Sequence, residues 1–506
     1  MIFGLKRRTF SLFTSAIFIL ALACRFGTPP PFSVATAAPT TGPSPTVAPL
    51  VINVHACPVG QPVQGFSTPI DARPGGSSRG DNYFLVIGNS GYDVQHYQIN
   101  LAVDMARKAI NGCTVIEAIA TQDLSGINLE FVGLQIDTLS VDGAVAEYTR
   151  NGTKLFITFP RPKANGEPFT VVVEYHGQSI GWQWYGDGVY VAAQPFGSSS
   201  WYPNNKHPFD KATYGYRITV AKPFEVAANG LPQNTIDNGD TRTYVWNSKF
   251  PMASSLATIG IGDFDTEAHS GPEGLPIRLY FEKDIPQSTR RQFADMADVI
   301  TFYERIYGPY PYESAAAIVH DIDLRFSLGA RTLIVFGANF ADESLIAHEL
   351  AHQWFGDSVG LKRWRDVWLN EGFATYAAAL WAEHSQGSDK FDQEVRGYYA
   401  ILASGGFLFP PPGDPGPENL FSGSVYARGA LTLHALRLAV DDEIFFEIMR
   451  TYHARYAGSN ANTDDFIAVA EEVSGRQLDD LFDAWLYLKD IPDIPEMDLH
   501  LVDFAP

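Results

Sequence analysis

The feature that most constrains the fold is a change of periodicity about half-way along the 506-residue chain. From Asp81 to Asp265, short segments of alternating apolar and polar residues are divided by Gly, Pro, Asn and Asp, a pattern typical of antiparallel strands. After one more strand-like stretch, Ile277 to Phe281, apolar residues recur at helical spacing. The sequence therefore predicts an α+β protein of two main domains: an antiparallel β saddle or sandwich at residues 51–267, then a mainly helical domain at residues 268–506.

Composition and charge limit the classes of protein to which the chain can belong. Hydrophobic residues make up 45% and charged residues 18%, which is a globular composition without the uniform apolarity of a polytopic membrane protein. The formal net charge is −21. Because nucleic-acid binding needs clustered Lys and Arg, this acidic balance argues against a nucleic-acid partner.

Residues 1–24 have the layout of a signal peptide, with basic residues from Lys6 to Arg8 and a short apolar run from Leu12 to Ala23. This run is too short to span a bilayer comfortably. It ends Ala21-Leu22-Ala23-Cys24, which fits a small-residue cleavage site and also resembles a bacterial lipobox, where the cysteine is acylated. The sequence predicts an extracytoplasmic protein, either secreted or lipid-anchored through Cys24 at the bacterial cell surface, and leaves these two outcomes open.

The next segment and the cysteine count agree with export. Residues 25–50 are dense in Pro, Thr, Ser and Ala, so they cannot bury a core and are predicted to form an extended linker. If Cys24 is acylated, Cys57 and Cys113 remain as an even pair. They are predicted either to form one disulfide in an oxidising compartment or to be two unrelated thiols.

Residues 348–352 read H-E-L-A-H and match the pattern H-E-x-x-H within a predicted helix at residues 344–355. Positions i and i+4 share one face of a helix, so both imidazoles can reach a single Zn²⁺, while Glu349 projects toward the position where a water would lie. The pattern predicts His348 and His352 as zinc ligands and Glu349 as the general base. Two histidines on a helix surface are the alternative.

A second motif supplies a third ligand. The residues W-L-N-E-G-F-A at 368–374 place Glu371 eighteen intervening residues after His352, at the start of another predicted helix. A turn between the helices can lay them side by side. Two histidines and a glutamate with an open fourth position are typical of catalytic zinc, whereas structural zinc usually uses Cys. The sequence therefore predicts one zinc per chain, bound by His348, His352 and Glu371.

These motifs resemble those of the aminopeptidase N family of gluzincin zinc peptidases. The resemblance covers about Tyr92 to Asp490 and includes the stretch from Gln194 to Thr213. It implies a saddle-like β domain followed by a thermolysin-like catalytic domain, with peptides as substrates. It also implies a short bacterial member of the family, without the long helical carboxy-terminal domain of larger members.

The resemblance assigns a role to Tyr426. The residues S-V-Y-A-R-G-A at 424–430 correspond to the tyrosine motif of the family. This implies that Tyr426 donates a hydrogen bond to the oxyanion of the tetrahedral intermediate, a role that suits a neutral phenol beside zinc. From the residues alone, a buried helix tyrosine is the alternative.

Two departures from the family concern recognition of a free amino terminus. Gly329 aligns with the glutamate that binds the substrate ammonium, and Phe196 replaces an acidic or amide residue expected two positions after Gln194. Loss of one charge-assisted hydrogen bond costs about 1.5 to 3 kcal/mol, enough to weaken exopeptidase preference. The choice between aminopeptidase and endopeptidase therefore stays open.

Together these features predict zinc-dependent, aminopeptidase-like hydrolysis of peptide bonds by a zinc-activated water, with Glu349 as general base and Tyr426 stabilising the oxyanion. The alternative is a surface lipoprotein that keeps the fold and the metal for binding and has lost turnover.

Overall fold

The computed structural model describes Cys57 and residues 60–191, 197–324, 327, 329–405 and 409–501. The predicted signal peptide, Cys24 and the linker at 25–50 lie outside the described residues, as do Gln194 and Phe196.

The described part of the amino-terminal half forms three sheets. The largest has eight strands, in the order Leu231–Asp237, Thr241–Ala253, Lys211–Ala221, Tyr92–Asp104, Ala109–Ala120, Pro168–Gly177, Gln135–Val141 and Ala144–Val145. A four-stranded sheet has the order Arg73–Pro74, Leu124–Glu130, Lys154–Lys163 and Glu147–Asn151. Another has the order Trp182–Tyr185, Gly188–Val191, Ile259–Gly262 and Glu225–Ala228.

The pairing in the large sheet confirms the predicted antiparallel β domain, with one exception. Lys211–Ala221 runs parallel to Tyr92–Asp104, while the other neighbouring strands in this sheet are antiparallel. Side chains alternate across the sheet, as the pattern of the sequence predicts: Tyr97, Ile99 and Leu101 are buried in the core of the β domain.

The carboxy-terminal half begins with a four-stranded sheet that separates two hydrophobic cores. Its order is Phe264–Ser270, Pro276–Glu282, Ala315–His320 and Ile334–Gly337. In Ala315–His320, Ala316 and Ile318 face the core of the β domain, whereas Ala317 and Val319 face the core of the helical domain. Both faces are therefore buried, and the sheet joins the two halves. The predicted boundary between residues 267 and 268 falls inside the first of these strands and stays a prediction.

Helices form most of the remaining chain. They span Gln287–Arg290, Met296–Tyr307, Glu343–Ala351, Trp368–Gln386, Ser388–Gly405, Gly429–Val440, Asp442–Tyr456, Thr463–Ser474 and Asp479–Leu486. Short strands Gly360–Leu361 and Asn460–Ala461 pair in parallel. Among the described residues, no helix has both the length and the apolarity needed to cross a membrane.

Apolar residues at helical spacing from Gln287 to Tyr307 predict one continuous helix, and this prediction is wrong: the structure has two helices here, Gln287–Arg290 and Met296–Tyr307. A 3₁₀ turn at Arg291–Phe293 lies between them. At this turn Phe293 packs into the core, with its ring 5.7 Å from that of Phe281 and 5.1 Å from that of Phe336. Tertiary packing here outweighs a local preference for continuous helix.

Cys57 and Cys113 form a disulfide, with their Cα atoms 6.1 Å apart. The bond ties the beginning of the described chain to the strand Ala109–Ala120. Of the two alternatives that the sequence left open, the structure contains the bonded pair.

Candidate metal centre and active site

The helix Glu343–Ala351, here called the histidine helix, carries the H-E-x-x-H residues. Asp342 caps its amino terminus, because the Asp342 side chain accepts a hydrogen bond from the backbone N–H of Leu345 at 2.8 Å. His348 and Glu349 lie within the helix and are buried, while His352 follows directly after its last residue. The helical spacing turns both imidazoles toward one point, and their Nε2 atoms are 3.2 Å apart.

The helix Trp368–Gln386, here called the glutamate helix, packs against the histidine helix and presents Glu371. Its neighbour Gly372 makes a close backbone contact: a Cβ atom at this position would lie 2.8 Å from the Cα of Gly429. The absence of a side chain at Gly372 and Gly429 therefore lets the glutamate helix approach the segment that carries Tyr426.

The candidate ligand atoms form a triangle of the size that zinc requires. Glu371 Oε2 lies 3.6 Å from His348 Nε2 and 3.4 Å from His352 Nε2. Ligands bound tetrahedrally at about 2.0–2.1 Å lie about 3.3–3.4 Å from one another, so these three atoms fit one face of a tetrahedron. The Glu349 carboxylate also lies within 4.8 Å of both imidazoles. Glu371 is the better third ligand because its distances match this face.

The charges in the triangle suit a cation. Burial raises the pKa of the Glu371 carboxyl, but His352 and His348 outweigh this effect and lower it to about 2. Burial lowers the pKa of His352, but Glu371 outweighs it and raises the pKa to about 10. A metal binds neutral imidazole, so it takes the place of that proton.

Glu349 has one engaged oxygen and one free oxygen. The hydroxyl of Ser327 donates a hydrogen bond to Glu349 Oε1. Glu349 Oε2 is buried and has no hydrogen-bond partner in the described part of the chain. Gly329 lies beside this oxygen, since a Cβ atom on Gly329 would be 2.6 Å from it. The predicted base is thus placed next to the metal ligands with an oxygen available to a ligand.

Tyr426 lies in a π-helical turn, Ser424–Arg428, here called the tyrosine turn. Single π turns often occur at functional sites. The Tyr426 ring is stacked on that of His348, with centroids 6.0 Å apart and planes at 19°. Burial, and then the carboxylates of Glu371 and Glu349, raise the pKa of Tyr426 well above its usual value. The side chain is therefore a neutral phenol that can donate a hydrogen bond.

Arg428 anchors the tyrosine turn to residues 484–490. Its buried guanidinium donates hydrogen bonds of 2.6 to 3.4 Å to backbone carbonyls of Ala484, Leu488, Lys489 and Asp490. These carbonyls lie in or just after the helix Asp479–Leu486, a helix that the sequence analysis missed. The role of Arg428 was missed too, because it depends on contacts about sixty residues away.

The structure thus brings together His348, His352, Glu371, Glu349 and Tyr426, the five predicted site residues. It adds Ser327, which the sequence analysis did not single out. No spacing or motif could have identified Ser327, because its contact with Glu349 spans 22 residues and crosses from a loop to a helix.

Comparison with known proteins decides the family. Residues 93–256 match the peptidase M1 N-terminal domain, and residues 338–485 match the peptidase family M1 domain. The chain belongs to the peptidase M1 family. The predicted family and fold class are confirmed, with a β-rich M1 amino-terminal domain followed by a helical M1 catalytic domain. For an M1 member with this ligand triangle the predicted cofactor, Zn²⁺, is confirmed as well.

Similar proteins come from several organisms. A probable aminopeptidase 1 of Sulfurisphaera tokodaii is 27% identical over 434 residues, which cover 78% of this chain and 53% of the relative. A glutamyl aminopeptidase of Bitis rhinoceros is 28% identical over 58% of this chain and 34% of the relative. The chain thus spans between a third and about half of the length of these relatives. An M1 zinc metallopeptidase from Deinococcus radiodurans has a crystal structure that aligns with a TM-score of 0.77 and 29% identity, covering 83% of this chain and 98% of that one.

Proposed function

We propose that the chain hydrolyses peptide bonds as a zinc-dependent, aminopeptidase-like enzyme. The observation that carries this proposal is the ligand triangle of His348, His352 and Glu371, with Glu349 and Tyr426 beside it. Such a set, with two histidines, one glutamate and an open fourth position, is typical of catalytic rather than structural zinc.

Each of the surrounding residues has one chemical task. Zn²⁺ held by the triangle supplies Lewis acidity, which polarises a carbonyl and lowers the pKa of water. Glu349 accepts the proton of the attacking water and passes it to the amine that leaves. Tyr426 donates its phenolic proton in a hydrogen bond to the oxygen on which negative charge develops.

The relatives support short peptides as substrates. Several are named aminopeptidases, and one crystal structure of the Deinococcus radiodurans metallopeptidase shows a mutant of that protein bound to a Tyr-ser-ala substrate. In the present chain Gly329, which aligns with the ammonium-binding glutamate of the family, brings no carboxylate to the site. We therefore propose that its preference for a free amino terminus is weaker than that of its relatives.

The test is cleavage of a peptide library by the purified protein with one zinc per chain. Each peptide is supplied with a free and an acetylated amino terminus, with and without a chelator, and Glu349→Gln is measured in parallel. Chelator-sensitive loss of single residues from free peptides supports an aminopeptidase. Equal or faster cleavage of acetylated peptides supports an endopeptidase or blocked-terminus peptidase. Full activity in Glu349→Gln contradicts the mechanism, and zinc without cleavage leaves a metal-containing binding protein.

We further propose that the protein acts outside the cytoplasm, secreted or tethered to a membrane by a lipid on Cys24. The disulfide between Cys57 and Cys113 supports an oxidising compartment. Mass spectrometry of the amino-terminal peptide from membrane and medium fractions tests both forms. The tether is supported if Cys24 is acylated in the wild type and if the Cys24→Ser variant loses the acyl group and is released into the medium. An unprocessed amino terminus in the cytoplasm contradicts export.

A further inference from the structure

We infer that Ser327 and Gly329 together determine which oxygen of Glu349 handles the proton: Ser327 holds Oε1, and the absence of a side chain at Gly329 keeps Oε2 free. The inference rests on the proposed function for its catalytic meaning. Its structural part, the orientation of the Glu349 carboxylate, can be measured separately.

The histidine helix alone does not orient this carboxylate. The helix fixes the backbone of Glu349, but the terminal torsion of a glutamate side chain has a broad range. The hydrogen bond from Ser327 Oγ to Oε1 removes this freedom. Since Oε2 is buried without a partner among the described residues, it is the oxygen left for a water or an amine.

Gly329 is required for space and not for backbone conformation. The φ angle of Gly329 does not lie in the left-handed region, so another residue could adopt its backbone angles. A Cβ atom at this position would lie 2.6 Å from Glu349 Oε2 and 3.3 Å from His352 Cδ2. The closer contact is with the far end of a flexible side chain. An added methyl group would therefore push the Glu349 carboxylate aside rather than unfold the loop.

Residues 330–332, which follow Gly329, are hydrogen-bonded to the catalytic domain. Gln353, the neighbour of His352, accepts a hydrogen bond from the backbone N–H of Thr332 at 2.9 Å and donates one to the carbonyl of Ala330 at 3.4 Å. A shift of this segment relative to the histidine helix would break both bonds.

The β domain holds the same segment from the other side. Asn229 donates a hydrogen bond to the carbonyl of Arg331 at 2.6 Å, and the backbone N–H of Gly230 donates one to the hydroxyl of Thr332 at 2.7 Å. Residues 330–332 are therefore fixed by both domains. This fixation keeps Gly329 at a constant distance from Glu349.

In the proposed reaction the water proton moves to Glu349 Oε2 as the oxygen of water bonds to the carbonyl carbon. The proton then moves from Oε2 to the amine nitrogen as the carbon–nitrogen bond breaks. The hydroxyl proton of Ser327 stays on Oγ throughout. Ser327 is thus a positioning residue, and Gly329 is a position where a side chain would disturb the base.

The experiment compares Ser327→Ala and Gly329→Ala with matched controls. Ser404→Ala removes an exposed hydroxyl that donates to the carbonyl of Ile401, and Gly405→Ala adds a methyl group where no atom of the described residues lies within 4 Å. For each variant we would measure zinc content, melting temperature, kcat and KM on one peptide. Crystal structures of the two test variants would show the orientation of Glu349.

Loss of a hydrogen bond to a charged group predicts a kcat about tenfold lower or more in Ser327→Ala, with KM within about twofold and zinc retained. Ser327→Thr, which keeps the hydroxyl, should recover most of kcat. Gly329→Ala should lose at least as much kcat as Ser327→Ala, with an unchanged melting temperature. In the crystal structures the Glu349 carboxylate should be rotated in both test variants.

The failures of the two proposals can be distinguished. If the wild-type enzyme is active and both test variants keep full kcat, the inference is wrong and the proposed function stands. If the zinc-loaded wild type cleaves nothing, the proposed function is wrong, and the crystal structures still decide the inference. If the Glu349 carboxylate has the wild-type orientation in both variants, the inference about Ser327 and Gly329 is wrong.

Discussion

Two buried glutamates, one in each half of the molecule, differ in how completely their hydrogen bonds are satisfied. In the β domain, Glu130 Oε1 accepts from Lys154 Nζ at 2.6 Å and Oε2 accepts from Asn89 Nδ2 at 2.7 Å. In the catalytic half, Glu349 has one oxygen without a partner among the described residues. Both glutamates are at most 5% exposed. The same residue type thus has both oxygens paired in one half and, among the described residues, one oxygen left unpaired in the other.

We infer that pairing of both oxygens distinguishes a buried carboxylate with a structural use from one that is available for chemistry. A fully satisfied buried carboxylate can lose its partners only by unfolding, so it stabilises one structure. A partly satisfied carboxylate beside a ligand triangle can bind something else. The comparison predicts that substitutions in the triangle change zinc content and turnover, whereas those around Glu130 change the free energy of unfolding.

The largest effect is expected for Glu371→Ala. This variant removes one of three ligands from a site that leaves only one further position open, so the zinc content should fall and cleavage should approach background. Glu383→Ala on the same helix is the control, because Glu383 pairs with Arg437 at 2.9 Å and not with the triangle. It should keep the zinc. Metal analysis after dialysis would measure both, and a zinc-loaded Glu371→Ala would contradict the ligand assignment.

Tyr426→Phe should lower kcat by about 10²- to 10³-fold, because it removes a hydrogen-bond donor from the developing oxyanion. Zinc content and KM should change little. Tyr398→Phe provides the comparison with a structural tyrosine, since its hydroxyl donates to the backbone carbonyl of Thr375 at 3.3 Å and not to the ligand triangle. If Tyr426→Phe instead lowers stability and leaves kcat intact, Tyr426 is a buried helix tyrosine.

Glu130→Ala should lower the free energy of unfolding by about 3–5 kcal/mol, because it leaves Lys154 buried without its carboxylate. The kcat of the protein that remains folded should be unchanged. Glu147→Ala, on an exposed strand of the same sheet, should shift stability by no more than about 0.5 kcal/mol. Urea unfolding of the two variants measures the difference. Equal stabilities would show that the Glu130 network does not have the role assigned to it.

The candidate ligands His348 and His352 could be predicted from sequence because their juxtaposition depends on local helix geometry. Positions 348 and 352 share a helix face whatever surrounds the helix, and the helix with Glu371 was also recognisable from its apolar pattern. The same holds for the alternating pattern that predicts the strands of the β domain, in which the structure buries Tyr97 and Ile99.

Features that depend on distant contacts could not be predicted. Ser327 contacts Glu349 across 22 residues of sequence, and residues 330–332 are held by Asn229 and Gln353, from two domains. The break at Phe293 depends on aromatic rings from two other strands. Periodicity contains no information about such partners, so these positions appear only once the chain is folded.

His434, for which we expect the smallest effect on stability, allows a test of whether an unpartnered buried atom is enough to mark a functional site. His434 Nε2 is buried without a partner among the described residues, while its Nδ1 lies 3.2 Å from the hydroxyl of Tyr376. Burial, and then Arg437, lower the pKa of His434 from 6.5 to about 4. Between these values the unfolded chain binds more protons than the folded one, so stability is present above about pH 6.5 and falls as the pH drops toward 4.

For this group alone the loss between pH 8 and pH 5 is about 2 kcal/mol. His434→Phe should flatten the pH dependence of the free energy of unfolding by that amount and leave kcat at pH 8 unchanged. Urea unfolding at both pH values, for this variant and the wild type, measures the difference. Parallel curves would contradict the lowered pKa. A loss of turnover in His434→Phe would mean that this buried, unpartnered nitrogen is linked to activity although it lies outside the ligand triangle. An unchanged kcat would mean that the unpartnered atom of His434 does not mark a functional site. The unpartnered oxygen of Glu349 would then differ from it by lying beside the ligand triangle.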